Sequence, residues 1–269
     1  MLEDVVVLIA HYNDPEGLEH TLDSIKEDEK VKVVVVDDGS ELKPDVNYLK
    51  QRFSDKLDLT VLFKEYNSGP EDSANYGLLF IYNEMPECRY IARLDCKDLC
   101  MPYRLSKQKH FFTEHPGVML VGGWVDFYNN LGQFLYCYAP PADYKKIKKE
   151  IFLSAVFIQP VVMIQRAALE EIGGYPNKYP TADDYALYFE ITKRYPTAVL
   201  PEVLLKTIFD DKGVSLGNRK KQLRSRMRIL WDNKSVLNPY WWLGIIKLTT
   251  LMFLPYSLIS KIKQLVYRK

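Results

Sequence analysis

Three acidic clusters in this 269-residue chain sit where side chains could do chemistry. Asp37-Asp38 closes the apolar run Val31 to Val36, Asp95 closes Tyr90 to Leu94, and Asp183-Asp184 opens a segment with helical periodicity that runs to about Arg194. A carboxylate can accept a hydrogen bond from a heterocyclic N–H, ligate a divalent cation or take a proton from a hydroxyl. Lys97, two residues beyond Asp95, could set a fixed positive charge against an anion. Asp184, at a helix start, should stay ionised because the helix N-terminus favours its anion, which suits a base that must be unprotonated before it acts. Plainer uses compete. Asp37-Asp38-Gly39 can be only a tight turn, and Thr181, Asp183 or Asp184 can cap the helix, although two adjacent acids allow one to cap while the other reacts.

The elements that must hold these residues alternate. Val5 to Ala10, Val31 to Val36, Leu59 to Phe63 and Tyr90 to Leu94 read as buried strands, and Val118 to Val121 as another. Between them lie a helix starting at Asp14-Pro15 with Leu18, Leu22 and Ile25 on one face, one of roughly Glu71 to Asn83, and one from Pro102 to Glu114. This pattern predicts an α/β fold: a Rossmann-like, mostly parallel sheet flanked by helices. Such sheets bind ligands at the carboxyl ends of their strands, where Asp37, Asp38 and Asp95 fall. Trp124 to Pro160 is less regular, and Ile172-Gly173-Gly174-Tyr175-Pro176 reads as a turn.

Charge divides the chain. From Asn218 onward there are twelve Lys and Arg against one acid, Asp232, while the whole chain has net charge +1, so the body is acidic. Residues 1–217 are expected to form the catalytic domain and 218–269 a basic, amphipathic helical tail that associates with an anionic membrane surface. The apolar run Trp241 to Ile259, interrupted by Gly244, Lys247 and Pro255, is expected to lie in the interface rather than span it, with packing against protein the other alternative. An acidic body argues against nucleic acid as a partner. Cys88, Cys96, Cys100 and Cys137 form no Cys-x-x-Cys pair and all four histidines precede residue 116, so free thiols are expected and a zinc site is not. The first apolar run follows two acids, so no signal peptide is expected. The expected location is the cytoplasmic face of a membrane, held peripherally.

In order and spacing, several segments resemble family 2 glycosyltransferases of the GT-A fold. They are Leu8 to Asn13, Val35 to Ser40, Asn67-Ser68-Gly69 with Asn75-Tyr76-Gly77, Arg93 to Asp98 with Pro102 to Leu105, Val162 to Arg166 leading to Gly173-Gly174-Tyr175, and Ala182 to Leu187. The resemblance implies an inverting glycosyltransferase of the cell-surface polysaccharide or lipopolysaccharide type, taking a sugar from a nucleotide-sugar. It implies nucleotide-sugar binding by Ala10, Tyr12, Asn13, Asp37, Asp38, Asn67, Asn75, Asp95, Cys96 and Arg104, with Tyr12 covering the base. An acceptor at Asp38 or Asp37 suits a uracil imide, so a UDP-sugar is expected, with dTDP the alternative. The family's catalytic base maps to Asp184, with Asp183 second.

The chain departs from the family at the diphosphate. Its Asp-x-Asp metal motif reads Asp95-Cys96-Lys97 here, and the late histidine ligand maps to Asp210. Lys97 could therefore supply the positive charge itself, with Asp210 holding it, and make transfer metal-independent. A Mn2+ or Mg2+ ion held by Asp95, Asp98 or Asp210 remains the alternative, and so does a catalytically degenerate scaffold or partner subunit. The basic tail suggests a membrane-bound acceptor, either a glycolipid or a polyprenyl-linked glycan. Gly173-Gly174-Tyr175, Trp124, Tyr128 and Gln159 are candidates for shaping the pocket.

Overall fold

The computed structural model describes residues 2–208 and 218–254. Its strands are β1 (Val5–His11), β2 (Val31–Asp37), β3 (Leu57–Phe63), β4 (Tyr90–Asp95), β5 (Leu99–Cys100), β6 (Leu120–Tyr128), β7 (Phe134–Tyr138), β8 (Met163–Gln165) and β9 (Thr197–Ile208). They form one sheet in the order β3-β2-β1-β4-β8-β6-β9-β5, with β7 paired to β6. The β3-β2-β1-β4 half is parallel, and β8 runs antiparallel to both β4 and β6.

Around it lie α1 (Pro15–Ser24), α2 (Val46–Arg52), α3 (Pro70–Glu84), α4 (Arg104–Glu114), α5 (Tyr144–Glu150), α6 (Arg166–Ile172), α7 (Asp183–Arg194), α8 (Arg219–Asp232) and α9 (Pro239–Phe253). The near-continuous apolar runs of β1 and β2 follow from cover on both faces. Val6, Leu8, Val34 and Val36 point into one core layer with Leu78 and Ile81 of α3 and Leu187 of α7. Val5, Val7, Val33 and Val35 point into the other with Leu18 and Leu22 of α1 and Leu105 of α4.

Register brings the reactive ends level. Ala10 of β1 lies opposite Val36 of β2 on one side and Asp95 of β4 on the other. Asp37, Asp38 and Asp95 therefore leave the sheet at one rim.

Trp124 to Pro160 is more regular than expected, holding most of β6, all of β7 and α5. β6 was hard to see because Gly122-Gly123 breaks its pattern. A Cβ on Gly123 would lie 2.6 Å from Leu204 of β9, so the strands meet only because that side chain is missing.

The basic tail is built into the body. Trp241 is 0% exposed, its indole N–H donates to the Leu230 carbonyl at 2.7 Å, and Leu223, Ile229, Leu230 and Leu248 join the core layer of α3 and α7. Burying a tryptophan this way contributes several kcal/mol, roughly 25 cal/mol per Å² over 150–250 Å². The other side of α9 is open: Trp242, Leu243, Ile246 and Phe253 are exposed, Phe253 by 84%. No described helix is long and apolar enough to cross a membrane. Pro255 to Ile259 of the apolar run and Asp210 lie outside the described residues.

Candidate active site

The first two strand ends form a cross-braced loop pair. His11 Nε2 accepts from the Asp14 N–H at 3.2 Å, so its Nδ1 carries the proton and donates to Asp37 Oδ2 at 2.7 Å. Asp37 Oδ1 accepts from the Ser40 N–H at 3.0 Å, and Asp37 is fully buried. Asn13 sits at φ +51°, where its side-chain oxygen accepts from the Glu41 and Leu42 N–H groups. Asp37 and Asn13 thus hold the loop, and the exposed group between them is the Tyr12 ring. Gly39 is required at φ +70°, because a Cβ there would lie 2.5 Å from the Tyr66 backbone.

Asp38 is 3% exposed and ties the rim to the start of α3. Its Oδ1 accepts from Lys64 Nζ at 2.7 Å and from the Ser68 N–H at 3.1 Å, while Oδ2 accepts from the Gly69 N–H at 2.8 Å. Burial pushes this carboxyl up, but those hydrogen bonds outweigh it and hold Asp38 below the usual carboxylate range. It is a permanent acceptor, and Oδ2 keeps lone-pair capacity. Asn67, one residue before Ser68, is exposed beside it.

At the end of β4, Asp95 is partly exposed and accepts from the buried Arg93 at 3.4 Å. Cys96 is half-buried, and burial pushes its thiol well up. Lys97 sits at φ +74°, a left-handed conformation that costs a non-glycine residue about 1–2 kcal/mol. Its ammonium pairs with Asp14 Oδ2 at 3.1 Å while its side chain stays 63% exposed. Asp98 is buried, and burial followed by the charge of Asp95 holds its carboxyl well above the usual range.

Arg104 lies inside the molecule. It donates to the carbonyls of Pro160 at 2.7 Å and Arg93 at 2.8 Å and to Gln108 Oε1 at 3.1 Å. With those donors committed, it braces β4 against the segment before β8. Asn75 is a clamp of the same sort: it donates to the Tyr175 carbonyl at 2.9 Å and accepts from the Tyr175 N–H at 2.8 Å, fixing the Gly173-Gly174-Tyr175 turn on α3.

The acidic pair at the start of α7 completes the rim. The helix cap is Ala182, with no side-chain cap bond, and Asp184 Oδ1 accepts from the Tyr185 N–H at 2.7 Å. Burial raises Asp184 to about 6; the Tyr185 N–H and Arg226 oppose this, and the charges of Glu71 and Asp95 add to it. Burial, then the Glu71 charge, raises Asp183 as well. The direction of the shift is opposite to that expected from the helix N-terminus, although a carboxyl at about 6 is still ionised at neutral pH. A helix end is worth about 0.3–1 kcal/mol, whereas a rise of roughly two pKa units is about 3 kcal/mol.

The acids form one cluster. Asp184 feels Asp95, Glu71 and Arg226, and Glu71 lies two residues beyond the Gly69 N–H that binds Asp38. Glu71, Lys64, Arg93 and Arg226 were missed as site residues. Only Arg93 carried a signal, lying within the Arg93-to-Asp98 segment. Among the described residues no group of three His, Cys, Asp or Glu could hold a metal ion. Of the three acids named as metal ligands, Asp98 is buried, Asp95 is partly exposed two residues before Lys97, and Asp210 lies outside the described residues.

A family model described as glycosyl transferase family 2 matches residues 6–173. The chain is 27% identical over 249 residues to an uncharacterized glycosyltransferase of Methanocaldococcus jannaschii, covering 88% of this chain and 83% of that one. It is 28% identical over 205 residues to the amylovoran biosynthesis glycosyltransferase AmsE of Erwinia amylovora, covering 74% of each. Among solved structures, Staphylococcus aureus TarS 1-349 in complex with UDP-GlcNAc superposes with a TM-score of 0.68 at 18% identity, over 91% of this chain and 71% of that one. The mannosyltransferase of Pyrobaculum calidifontis in complex with GDP-Man and Mn2+ does so with a TM-score of 0.63 at 17% identity, over 98% of this chain and 74% of that one. At these identities the structures show a shared GT-A-like fold.

Proposed function

The chain belongs to glycosyl transferase family 2, and from that premise we propose that it moves a sugar from a UDP-sugar to a membrane-linked glycan or lipid acceptor, inverting the anomeric centre. The observation that carries the reading is the Asp184 carboxylate, raised to about 6 beside Asp95, Glu71 and Arg226 at the carboxyl rim of the sheet. An acceptor hydroxyl forms its bond to the anomeric carbon as the bond to the diphosphate breaks, and its proton passes to Asp184. The diphosphate leaves toward the Lys97 ammonium. The UDP-GlcNAc complex of TarS and the acceptor-only chemistry of Asp38 support a uracil base.

Turnover of a panel of UDP-, dTDP- and GDP-sugars, followed by nucleotide release, checks the donor. UDP-sugars are expected to lead, and exclusive use of a GDP-sugar would overturn the uracil assignment. AmsE, a polysaccharide biosynthesis enzyme by its name, supports a glycan product. The open face of α9 and the basic tail support recruitment to an anionic surface, at about 1 kcal/mol per Lys or Arg near it. Co-sedimentation with anionic vesicles should show binding that salt weakens; equal binding to neutral vesicles would refute recruitment by charge.

A further inference from the structure

We propose that Arg226 of α8 and Lys247 of α9 form the site for the phosphate of a lipid-linked acceptor, with its hydrocarbon lying along the open face of α9. The inference rests on the transfer reading above and names the group by which the acceptor is held.

Arg226 comes from the tail, yet it reaches the active site. Ser225 beside it donates to the Pro180 carbonyl at 2.9 Å, pinning α8 to the loop that precedes Asp183-Asp184. The Arg226 guanidinium lies over the Tyr185 ring, 4.6 Å from its centroid, and beside Asp184. Its Nε and Nη2 are buried and reach no hydrogen-bond partner. Leaving such donors unpaired is costly, more so on a charged group, and a fork with two idle N–H groups is shaped for an oxyanion.

A second cation shares the place: α9 runs antiparallel to α8, Trp241 donating to the Leu230 carbonyl and Arg219 to the Leu251 carbonyl, which sets Lys247 across from Arg226. Lys247 feels the charge of Arg226, and burial together with that charge pushes its ammonium down, against Glu150, which pulls it up. Each cation has an acid at its far side, Asp184 beside Arg226 and Glu150 beside Lys247, yet the two still repel each other, and a phosphate bridging them removes both that repulsion and the idle donors. The carboxylates nearby, Asp184, Asp183 and Glu71 on one side and Glu150 on the other, oppose an anion. The two acids at the start of α7 are already raised toward their neutral forms.

The hydrocarbon follows from what adjoins Lys247. Ile246 and Leu243 on α9 are exposed apolar side chains, 60% and 50% respectively, beside Lys247 on the same helix. A lipid phosphate seated on Arg226 and Lys247 would place its chain against these side chains and its sugar hydroxyl toward Asp184. A free phosphate would use only the cations.

The test is calorimetric titration of the full chain, saturated with UDP so that the donor site is closed, with farnesyl diphosphate and separately with inorganic pyrophosphate. Farnesyl diphosphate should bind more tightly than pyrophosphate. Arg226→Gln and Lys247→Gln should each weaken it about 10- to 100-fold, while Arg224→Gln, on the exposed side of α8, leaves it unchanged. UDP affinity reports that each variant is folded. Undiminished binding in Arg226→Gln, or no binding in the unmodified chain, overturns the site, and equal affinity for the two probes overturns the lipid. Failure of the unmodified chain to bind UDP would instead sink the transfer reading itself.

Discussion

Asp184→Asn is expected to lower turnover about 100- to 10,000-fold, to leave UDP affinity within about twofold, and to raise the melting temperature by a few degrees. The first effect follows from removing a general base, which contributes about 10²–10⁴-fold. The last follows from burial. The folded carboxyl is raised to about 6 from 3.8, so between those values the fold binds more protons than the unfolded chain. The contribution of this one carboxyl is therefore most favourable below pH 3.8, falls as the pH rises toward 6, and at neutral pH is a penalty of about 3 kcal/mol. Asparagine removes that penalty, less the attraction lost to Arg226, at about 2–4 °C per kcal/mol. A variant that only damaged the fold would melt earlier, so the pair of measurements separates chemistry from structure. In the unmodified chain, turnover should fall about tenfold per unit as the pH drops below about 6. Residual turnover within tenfold would reassign the base, with Asp183 next to be tested.

What could be read from the residues was whatever local pattern fixes. β1 and β2 are unbroken aliphatic runs because both faces of the sheet are covered, and the level ends of β1, β2 and β4 follow from parallel pairing. The acidic clusters announced the rim. Hidden were properties that depend on neighbours distant in sequence. Arg104 and Asn75 sit in motif segments, yet each spends its polar atoms on backbone from elsewhere in the fold, Pro160 and Tyr175 respectively. Asp37 similarly faces His11 across 26 residues. The ionisation of Asp184 was inferred from the one element that carries it, but Glu71, arriving from α3, and burial set it instead. A tail legible as basic and apolar offered core packing of Trp241 only as an alternative, and gave no sign that Arg226 would stand beside the base.

Lys97→Ala should lower turnover about 100- to 1,000-fold, the range seen when one preorganised charge or donor at a developing anion is lost, and chelator should leave the unmodified chain active. Two observations favour an ammonium kept for the diphosphate over a surface ion pair. Its backbone is held at φ +74°, a strain that a mere surface ion pair would hardly maintain. Its partner Asp14 holds it loosely: with the ammonium 63% exposed, such a pair is worth about 0–1 kcal/mol, and a diphosphate bearing at least two charges displaces it readily. Asp14 also caps α1 through the Gly17 N–H at 3.1 Å, so it stays in place when Lys97 swings away. Lys97→Asp is the sharper variant, since it rebuilds an acid two residues after Asp95. Turnover should be lost as in Lys97→Ala and returned in part by Mn2+, because two carboxylates then face the diphosphate in place of one cation. Should chelator silence the unmodified chain and Mn2+ revive it, the counter-charge is a metal and Lys97 has another task.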